Sequence, residues 1–227
     1  MVKTTRIFYI PGFGEKANIF EKIAPHIPST ENIFLDNWEL LGDIPRKETD
    51  VLQYAKELIA KYNIISSDLI IGHSLGGWIA YYIKHVVNCR IVQIASFTNP
   101  AFIISPFSNL KVINILVKSG LYFNRFNMNH FLKKNYTGKP SRDIFIEIFM
   151  RVENGNKNNV MNQLRLIYKP VDAEIKIVPD LRIHARGDSL VRVPKGAFHE
   201  TSGDHFTLYT NPKEVYLPIV NWLTAEY

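Results

Sequence analysis

Ser74, Asp188 and His205 have the side-chain types that nucleophilic acyl transfer requires, although they lie far apart in the sequence. An isolated serine hydroxyl is a poor nucleophile, so it needs a base that takes its proton and a third group that orients the base. A histidine can serve as the base, and a carboxylate can orient it. The order Ser, Asp, His along the chain is the one expected when the serine lies in a G-x-S-x-G turn.

The segment Gly72-His-Ser-Leu-Gly76 has this G-x-S-x-G form, with Ser74 at its centre. It follows an apolar run, Leu69–Ile71, and precedes a segment with the apolar spacing of a buried helix. A strand that turns abruptly into a helix brings the flanking positions too close for side chains, and it strains the residue at the apex. The serine hydroxyl is then held at the positive end of the helix. The pattern arises by chance in roughly one chain in thirteen of this length. The alternative is therefore that Ser74 lies in a glycine-rich turn and has no catalytic role.

Asp188 and His205 each follow a predicted strand, Leu181–Ala185 in the first case and Gly196–Thr201 in the second. Because the carboxyl ends of parallel strands lie at one edge of a sheet, these residues can meet Ser74 there. Asp36, at the end of an earlier strand, is the alternative acid. The other histidines are weaker candidates for the base: His73 lies inside the turn and points away, His184 and His199 fall in mid-strand, and His26, His85 and His130 have no motif.

Six apolar runs of strand length, with helical patterns between the earlier ones, predict an α/β fold with a mostly parallel sheet of about six strands flanked by helices. A helix is expected at Ala17–Ile27, and a second one at Val51–Ile59 is expected to be capped by Thr49 or Asp50. The predicted strands are Arg6–Ile10, Asn32–Asp36, Leu69–Ile71, Cys89–Ala95, Leu181–Ala185 and Gly196–Thr201.

The alternation of strands and helices breaks after Ser96-Phe-Thr-Asn-Pro100 and resumes near residue 171. We therefore expect residues 1–98 and 171–227 to form the core and residues 99–170 to form a helical cap, an insertion that is not an independent domain. Short amphipathic helices are expected in the cap at Val112–Val117, Leu121–Leu132 and Ile144–Val152.

The positive charge of the chain is concentrated in this cap. The whole sequence has a formal charge of +6, whereas residues 101–170 contain eleven Lys or Arg and three Asp or Glu, a net +8. A solvated basic surface is the simplest explanation, and an anionic substrate or partner is the more specific one.

Composition limits the remaining classes of function. The one cysteine, Cys89, excludes an internal disulfide and fits a reducing compartment, where we expect a small buried residue. The start of the chain lacks the pattern of a signal peptide, and no apolar run approaches the ~18 residues of a membrane span, so a cytoplasmic protein is expected. No G-x-G-x-x-G, P-loop or metal-ligand spacing occurs, so we expect no cofactor, no metal and no nucleic-acid partner.

Four turns in this sequence resemble the signature turns of the α/β-hydrolase superfamily, and they occur in the same order. They are Pro11-Gly-Phe-Gly14, Gly72-His-Ser-Leu-Gly-Gly77, Arg186-Gly-Asp188 and Gly203-Asp-His-Phe206. The resemblance extends from about Lys3 to Leu223 and is nearest to small, capped, serine esterase- or lipase-like members. It implies that Ser74 is the nucleophile, His205 the general base and then acid, and Asp188 the orienting acid. The backbone N–H groups of Phe13 and Leu75 would form the oxyanion hole.

The sequence departs from the family pattern in four places. It lacks the leading antiparallel hairpin, and it has Asp204 where glycine is frequent. Only sixteen residues separate Asp188 from His205, too few for the usual helix. A further departure is the first turn, which reads Pro11-Gly-Phe-Gly14 where His-Gly is common. The activity implied by the resemblance is cleavage of a carboxylic ester or thioester through an acyl-enzyme on Ser74. Amide or carbon–carbon hydrolysis on the same residues, or a non-catalytic receptor on this fold, are the alternatives. Dehalogenases and epoxide hydrolases fit less well, because they carry Asp at the turn.

The substrate expected from the cap is a small acyl ester or thioester. The cap is rich in Phe, Ile, Leu and Tyr, most of which would hold it on the sheet while some could line an acyl tunnel. Together with the basic charge, this favours an apolar chain joined to an anionic head group or carrier.

Overall fold

The computed structural model describes residues 6–173, 175 and 177–225. The remaining positions lie outside this description. They include the first five residues of the expected core, and with them Lys3, where the family resemblance was expected to begin. Six strands occur in the described residues: β1 (Arg6–Ile10), β2 (Glu31–Phe34), β3 (Leu69–His73), β4 (Arg90–Ile94), β5 (Leu181–Ala185) and β6 (His199–Thr201).

These strands form one sheet in the order β2-β1-β3-β4-β5-β6. Each pair of neighbouring strands is parallel, which confirms the predicted sheet of about six mostly parallel strands. The carboxyl ends of β1, β3 and β5, which lead into the first turn, Ser74 and the loop of Asp188, therefore face the same edge. The last strand is shorter than predicted, and the second ends two residues earlier, because Asp36 caps the next helix instead.

Apolar side chains cover both faces of the sheet. Along β1, Phe8 and Ile10 pack into one buried cluster, whereas Ile7 and Tyr9 pack into a second cluster on the opposite face. This alternation follows from the two-residue period of a strand, and burial of both faces explains why the central strands are almost wholly apolar.

Nine α-helices lie in the described part of the chain. They are α1 (Asn37–Leu41), α2 (Val51–Tyr62), α3 (Leu75–Val87), α4 (Leu110–Lys118), α5 (Arg125–Asn135), α6 (Arg142–Asn154), α7 (Lys157–Tyr168), α8 (Thr207–Thr210) and α9 (Pro212–Ala225). Asp50 caps α2 by accepting from the N–H of Gln53. It is one of the two residues that were predicted for this role. No helix in the described residues is long and apolar enough to cross a membrane.

The prediction of one helix at Ala17–Ile27 is wrong. Two short 3-10 helices, Ala17–Phe20 and Ala24–His26, occupy this segment. Pro25 accounts for the lack of one continuous helix, because it has no N–H to donate to the preceding turn and is tolerated only in the first turn of a helix, where it lies in the second 3-10 helix.

Helices α4 to α7 lie between β4 and β5, within the segment expected to form the cap. The first three overlap the predicted helices, although α5 begins only at Arg125, where Asn124 accepts from the N–H of Asn127. The fourth, α7, was not predicted because its buried face is partly polar. Asn159 and Asn162 on this face donate to the carbonyls of Trp38 and Ile44, so they fix α1 and the loop after it.

Candidate active site

Ser74 lies at the sharp turn between β3 and α3, with φ 51° and ψ −118°. A non-glycine residue with positive φ is strained, and such strain is concentrated at functional sites. The glycines allow the turn: a Cβ on Gly76 would lie 1.8 Å from the carbonyl oxygen of Ile10, and one on Gly72 would lie 2.3 Å from the backbone of Gly76. The close approach predicted from the sequence is therefore present on both sides of the serine.

The backbone of Ser74 is held from β4. Its N–H donates to the carbonyl of Ile94 at 3.0 Å, and its carbonyl accepts from the hydroxyl of Ser96 at 2.6 Å. The side chain of Ser74 is half-buried, and no hydrogen bond to its hydroxyl occurs among the residues that the structure describes. The hydroxyl is therefore positioned by its backbone and is available to another group.

His205 and Asp188 form a buried pair. The Nδ1 atom of His205 lies 2.8 Å from Oδ2 of Asp188, and both side chains are almost fully buried. The other carboxylate oxygen of Asp188 accepts from the N–H groups of Leu190 and Val191 at 2.8 and 2.9 Å. With its acceptor sites occupied in this way, Asp188 fixes the orientation of the imidazole. The alternative acid, Asp36, accepts instead from the N–H groups at the start of α1.

Burial and the paired charges act in opposite directions on the pKa values of this pair. Burial would lower the pKa of His205, but attraction to Asp188 and the hydrogen bond between them outweigh it, with help from Glu15 and Asp204, so the pKa is raised above 6.5. Burial would raise the pKa of Asp188, but the charge and hydrogen bond of His205 lower it overall. The geometry thus stabilises the protonated imidazole that a general base becomes after it takes a proton.

His73, which precedes Ser74, connects the serine turn to the loop of His205. Its Nε2 lies 2.9 Å from the carbonyl oxygen of His205, and the two imidazole rings have centroids 4.8 Å apart. The serine turn and the histidine loop are therefore joined by a direct hydrogen bond one residue from the nucleophile candidate.

The other ring nitrogen of His73 contacts Glu15, a residue that sequence reasoning missed. Nδ1 lies 2.8 Å from Oε2 of Glu15, and that oxygen also accepts from the N–H of Gly12 at 2.6 Å. Both side chains are buried. The two ring nitrogens of His73 face two acceptors, so both hydrogen bonds form only if His73 and Glu15 together carry two protons. The pair is therefore either a protonated imidazole with a carboxylate or a neutral imidazole with a protonated carboxyl group. A carboxylate immediately after the first signature turn was the available signal.

His184 also contacts Asp188, although mid-strand placement gave no reason to expect it. Its Nε2 lies 3.2 Å from the carbonyl oxygen of Val191 and 3.4 Å from Oδ2 of Asp188. Burial lowers the pKa of His184, which the charge of Asp188 only partly opposes, so the neutral form of the ring is favoured. A neutral ring that donates from Nε2 adds a second imidazole to the surroundings of the acid.

The backbone N–H groups of Phe13 and Leu75 have no acceptor among the described residues. Leu75 is the first residue of α3, where an N–H has no partner within the helix. The loop that carries Phe13 is held on both sides, since the N–H of Gly14 donates to Gln163 at 2.9 Å and Asn37 donates to the carbonyl of Pro11 at 2.9 Å. Two free donors on fixed backbone suit the stabilisation of an oxyanion.

Glu15, His73 and His205 also form a group that could hold a metal ion, because one potential ligand atom from each lies within 4.8 Å of the others. Their sequence spacing gave no indication of this. However, both ring nitrogens of His73 and Nδ1 of His205 already take part in the hydrogen bonds described above. The donor set therefore fits a hydrogen-bonded network better than a metal centre.

Aromatic residues from the segment between β4 and β5 lie over the first turn. The ring of Phe123 stacks on Phe13 with centroids 5.8 Å apart, and Phe149 packs against the edge of Phe123. An apolar wall therefore stands directly beside one of the two free N–H groups. A groove of about 880 Å³ elsewhere, between β6 and α9, contains none of the predicted site residues.

No family model and no curated protein matches the sequence, whereas solved structures match the fold over nearly the whole chain. An esterase from Exiguobacterium antarcticum has 12% identity and a TM-score of 0.69, with 99% of this chain and 93% of the esterase covered. A hydrolase from Oleispira antarctica, olei00960, has 15% identity and a TM-score of 0.69, with coverages of 97% and 91%. A bromoperoxidase from Bacillus anthracis has 13% identity and a TM-score of 0.68, with coverages of 98% and 92%. The chain has the α/β-hydrolase fold, as its four signature turns predicted.

Proposed function

We propose that this chain is a serine hydrolase that cleaves a carboxylic ester or thioester through an acyl-enzyme on Ser74. The observation that carries the proposal is the buried hydrogen bond of 2.8 Å between His205 and Asp188, on a loop that is itself bonded to the residue before Ser74. Hydrolases and an esterase among the structural neighbours support the reaction class, since the fold alone is compatible with several chemistries.

In the proposed mechanism His205 takes the proton of Ser74 as its oxygen attacks the carbonyl carbon of the substrate. The bond to the leaving group then breaks, and His205 returns the proton to that group. Water, activated by the same imidazole, attacks the acyl-enzyme and releases the acid. Asp188 keeps the imidazole in the required orientation and stabilises its charged form.

The oxyanion that develops in each attack would accept from the N–H groups of Phe13 and Leu75. Removal of one such donor typically costs 10²–10³ in rate, which shows how much of the catalysis depends on two fixed backbone groups. The Glu15–His73 pair supports this arrangement, because it joins Gly12 in the first turn to the loop of His205.

The substrate class follows from the segment of residues 99–170, which we propose to be a cap inserted into the core. Its aromatic residues beside Phe13 suit an apolar acyl chain, and its net charge of +8 over residues 101–170 suits an anionic head group or carrier. We place the protein in the cytoplasm, since a single free cysteine, Cys89, fits a reducing compartment.

A fluorophosphonate probe tests the nucleophile without knowledge of the substrate. We expect one covalent adduct, located on Ser74 by peptide mass spectrometry, and its loss in Ser74→Ala. Ser108→Ala is the matched control, because Ser108 is exposed and outside the site. An adduct on another residue, or no adduct in a folded wild-type protein, would contradict the proposal, and the second result would favour a non-catalytic receptor.

The bond that is cleaved needs a second measurement. The kcat/KM values for an oxygen ester, a thioester and an amide of one acyl chain, measured on the same preparation, separate the alternatives. We expect the ester or thioester to be preferred. A preference for the amide would retain the mechanism on Ser74 and replace the substrate class.

A further inference from the structure

One region of the surface combines exposed apolar side chains with positive charge. Of the twelve large hydrophobic residues that are exposed in the described part of the chain, six fall within residues 104–126, and Phe126 is 81% exposed. These six are Ile104, Phe107, Val112, Ile115, Leu121 and Phe126. Single exposed apolar residues need no explanation, but a concentration of this kind indicates an interaction surface.

The same region has no negative charge in its sequence. Residues 101–142 contain no Asp or Glu, and they contain Lys111, Lys118, Arg125, Lys133, Lys134, Lys139 and Arg142. A partner that carries negative charge would therefore meet no repulsion from acidic side chains of this segment.

Helix α4 shows how the two properties are arranged. Ile113 and Val117 on one side are buried in the core, whereas Lys111, Ile115 and Lys118 are exposed. Residues spaced by four and three positions share one helix face, so an apolar side chain projects between two lysines. This is the composition of a helix that lies at a lipid surface.

The turn after α4 continues this surface toward the candidate active site. The N–H of Tyr122 donates to the carbonyl of Leu116 at 3.0 Å, and the side chain of Asn127 donates to the carbonyl of Leu121 at 2.8 Å. Within this turn Phe123 stacks on Phe13, while Leu121 and Phe126 are exposed. The surface is therefore a direct extension of the wall beside the first signature turn.

We propose that this surface, made of the exposed side of α4 with Leu121, Arg125 and Phe126, docks on an anionic lipid membrane. A bilayer accepts projecting apolar side chains without a complementary pocket, and its anionic head groups attract the flanking lysines and arginine. An acidic carrier protein would satisfy the charges but would require a matching apolar pocket for Phe126. The proposal concerns binding alone, so it holds or fails independently of the reaction on Ser74.

Co-sedimentation with lipid vesicles tests the proposal. We expect the full chain to bind vesicles of phosphatidylglycerol and phosphatidylcholine in equal parts, and to bind pure phosphatidylcholine weakly. Each basic residue near the surface is worth roughly a fivefold change in binding, so Lys111→Glu/Lys118→Glu should weaken binding at least tenfold. Leu121→Ser/Phe126→Ser should weaken vesicle binding by a similar factor at high salt. Under these conditions the charges are screened, and insertion of apolar side chains is the attraction that remains.

Matched controls separate this surface from general attraction of a basic protein. Lys56→Glu/Lys213→Glu makes the same charge change at exposed positions elsewhere, and Ile44→Ser removes an apolar residue that is 79% exposed outside the surface. Both should bind vesicles as the wild type does. Equal losses in the controls, or no binding to anionic vesicles at low salt, would overturn the proposal. Binding to a purified acidic carrier protein that depends on Phe126, with no vesicle binding, would also overturn it.

Discussion

The edge of the sheet and the surface of the segment between β4 and β5 differ in which side chains are buried and which are exposed. At the sheet edge, titratable side chains are buried and each has a partner, as His205 has in Asp188 and His73 has in Glu15. On the surface around α4, apolar side chains are exposed and positive charges have no acidic neighbours in the sequence. Paired buried charges fix a geometry, whereas exposed apolar groups contribute energy only when something covers them.

The contrast separates two kinds of experiment. Changes at the sheet edge should alter chemistry and stability, because each group is held by several others. Changes on the surface around α4 should alter neither, because those side chains contact little in the free protein.

Asp188→Asn should give the largest effect. If Asp188 orients His205, the rate of fluorophosphonate labelling should fall by about 10⁴, because an amide can stabilise neither the required tautomer nor the charged imidazole. Asp36→Asn is the control, since Asp36 caps α1 and should leave labelling near the wild-type rate. A loss in Asp36→Asn and none in Asp188→Asn would reverse the assignment of the acid.

Glu15→Gln should give the next largest effect, on stability. Removal of one partner leaves the other group buried without compensation, which typically costs about 1–3 kcal/mol for a neutral polar group and about 3–5 kcal/mol for an ion pair. Urea unfolding of Glu15→Gln, His73→Gln and the double variant measures the coupling. We expect the double variant to lose at least about 1 kcal/mol less than the two single losses together. Simple additivity would show that the contact of 2.8 Å between the two side chains is not a coupled pair.

The sequence was sufficient for the parts of this site that depend on local pattern. The strands and the turn at Ser74 followed from apolar runs and from glycines whose Cβ positions are sterically blocked. The parallel sheet then placed Asp188 and His205 at one edge. These features are predictable because each is determined by a few adjacent residues and one topological rule.

The sequence was not sufficient for the buried network behind the site. Glu15 and His73 are 58 positions apart. The position of Glu15 after the first signature turn does not by itself distinguish a buried carboxylate from the exposed ones that are far more common. Helix α7 was missed for a related reason, because its buried asparagines are satisfied by α1 and the loop after it, which precede α7 by more than a hundred residues. The sequence of residues 99–170 predicted helices, but it did not indicate which of their apolar residues would remain exposed.

The pH dependence of labelling should show a smaller effect at the sheet edge. Since His205 must be neutral to accept a proton, and since Asp188 raises its pKa, labelling should fall as the pH decreases through a midpoint above 6.5. Lys111→Glu/Lys118→Glu should leave this midpoint unchanged, because exposed charges are screened beyond about 8–10 Å at physiological ionic strength. A midpoint below 6.5 would mean that burial, and not Asp188, dominates the imidazole.

The smallest expected effect is that of Phe126→Ser on the free energy of unfolding. Phe126 is 81% exposed, so its removal should change stability by no more than about 0.5 kcal/mol. Phe145→Ala is the comparison within the same segment, because Phe145 is buried and stacks on Phe131 and Tyr136, and it should cost about 3–5 kcal/mol. A large loss in Phe126→Ser would mean that this side chain packs within the protein. It would then be unavailable to a membrane, and the distinction between the two regions would not hold at this position.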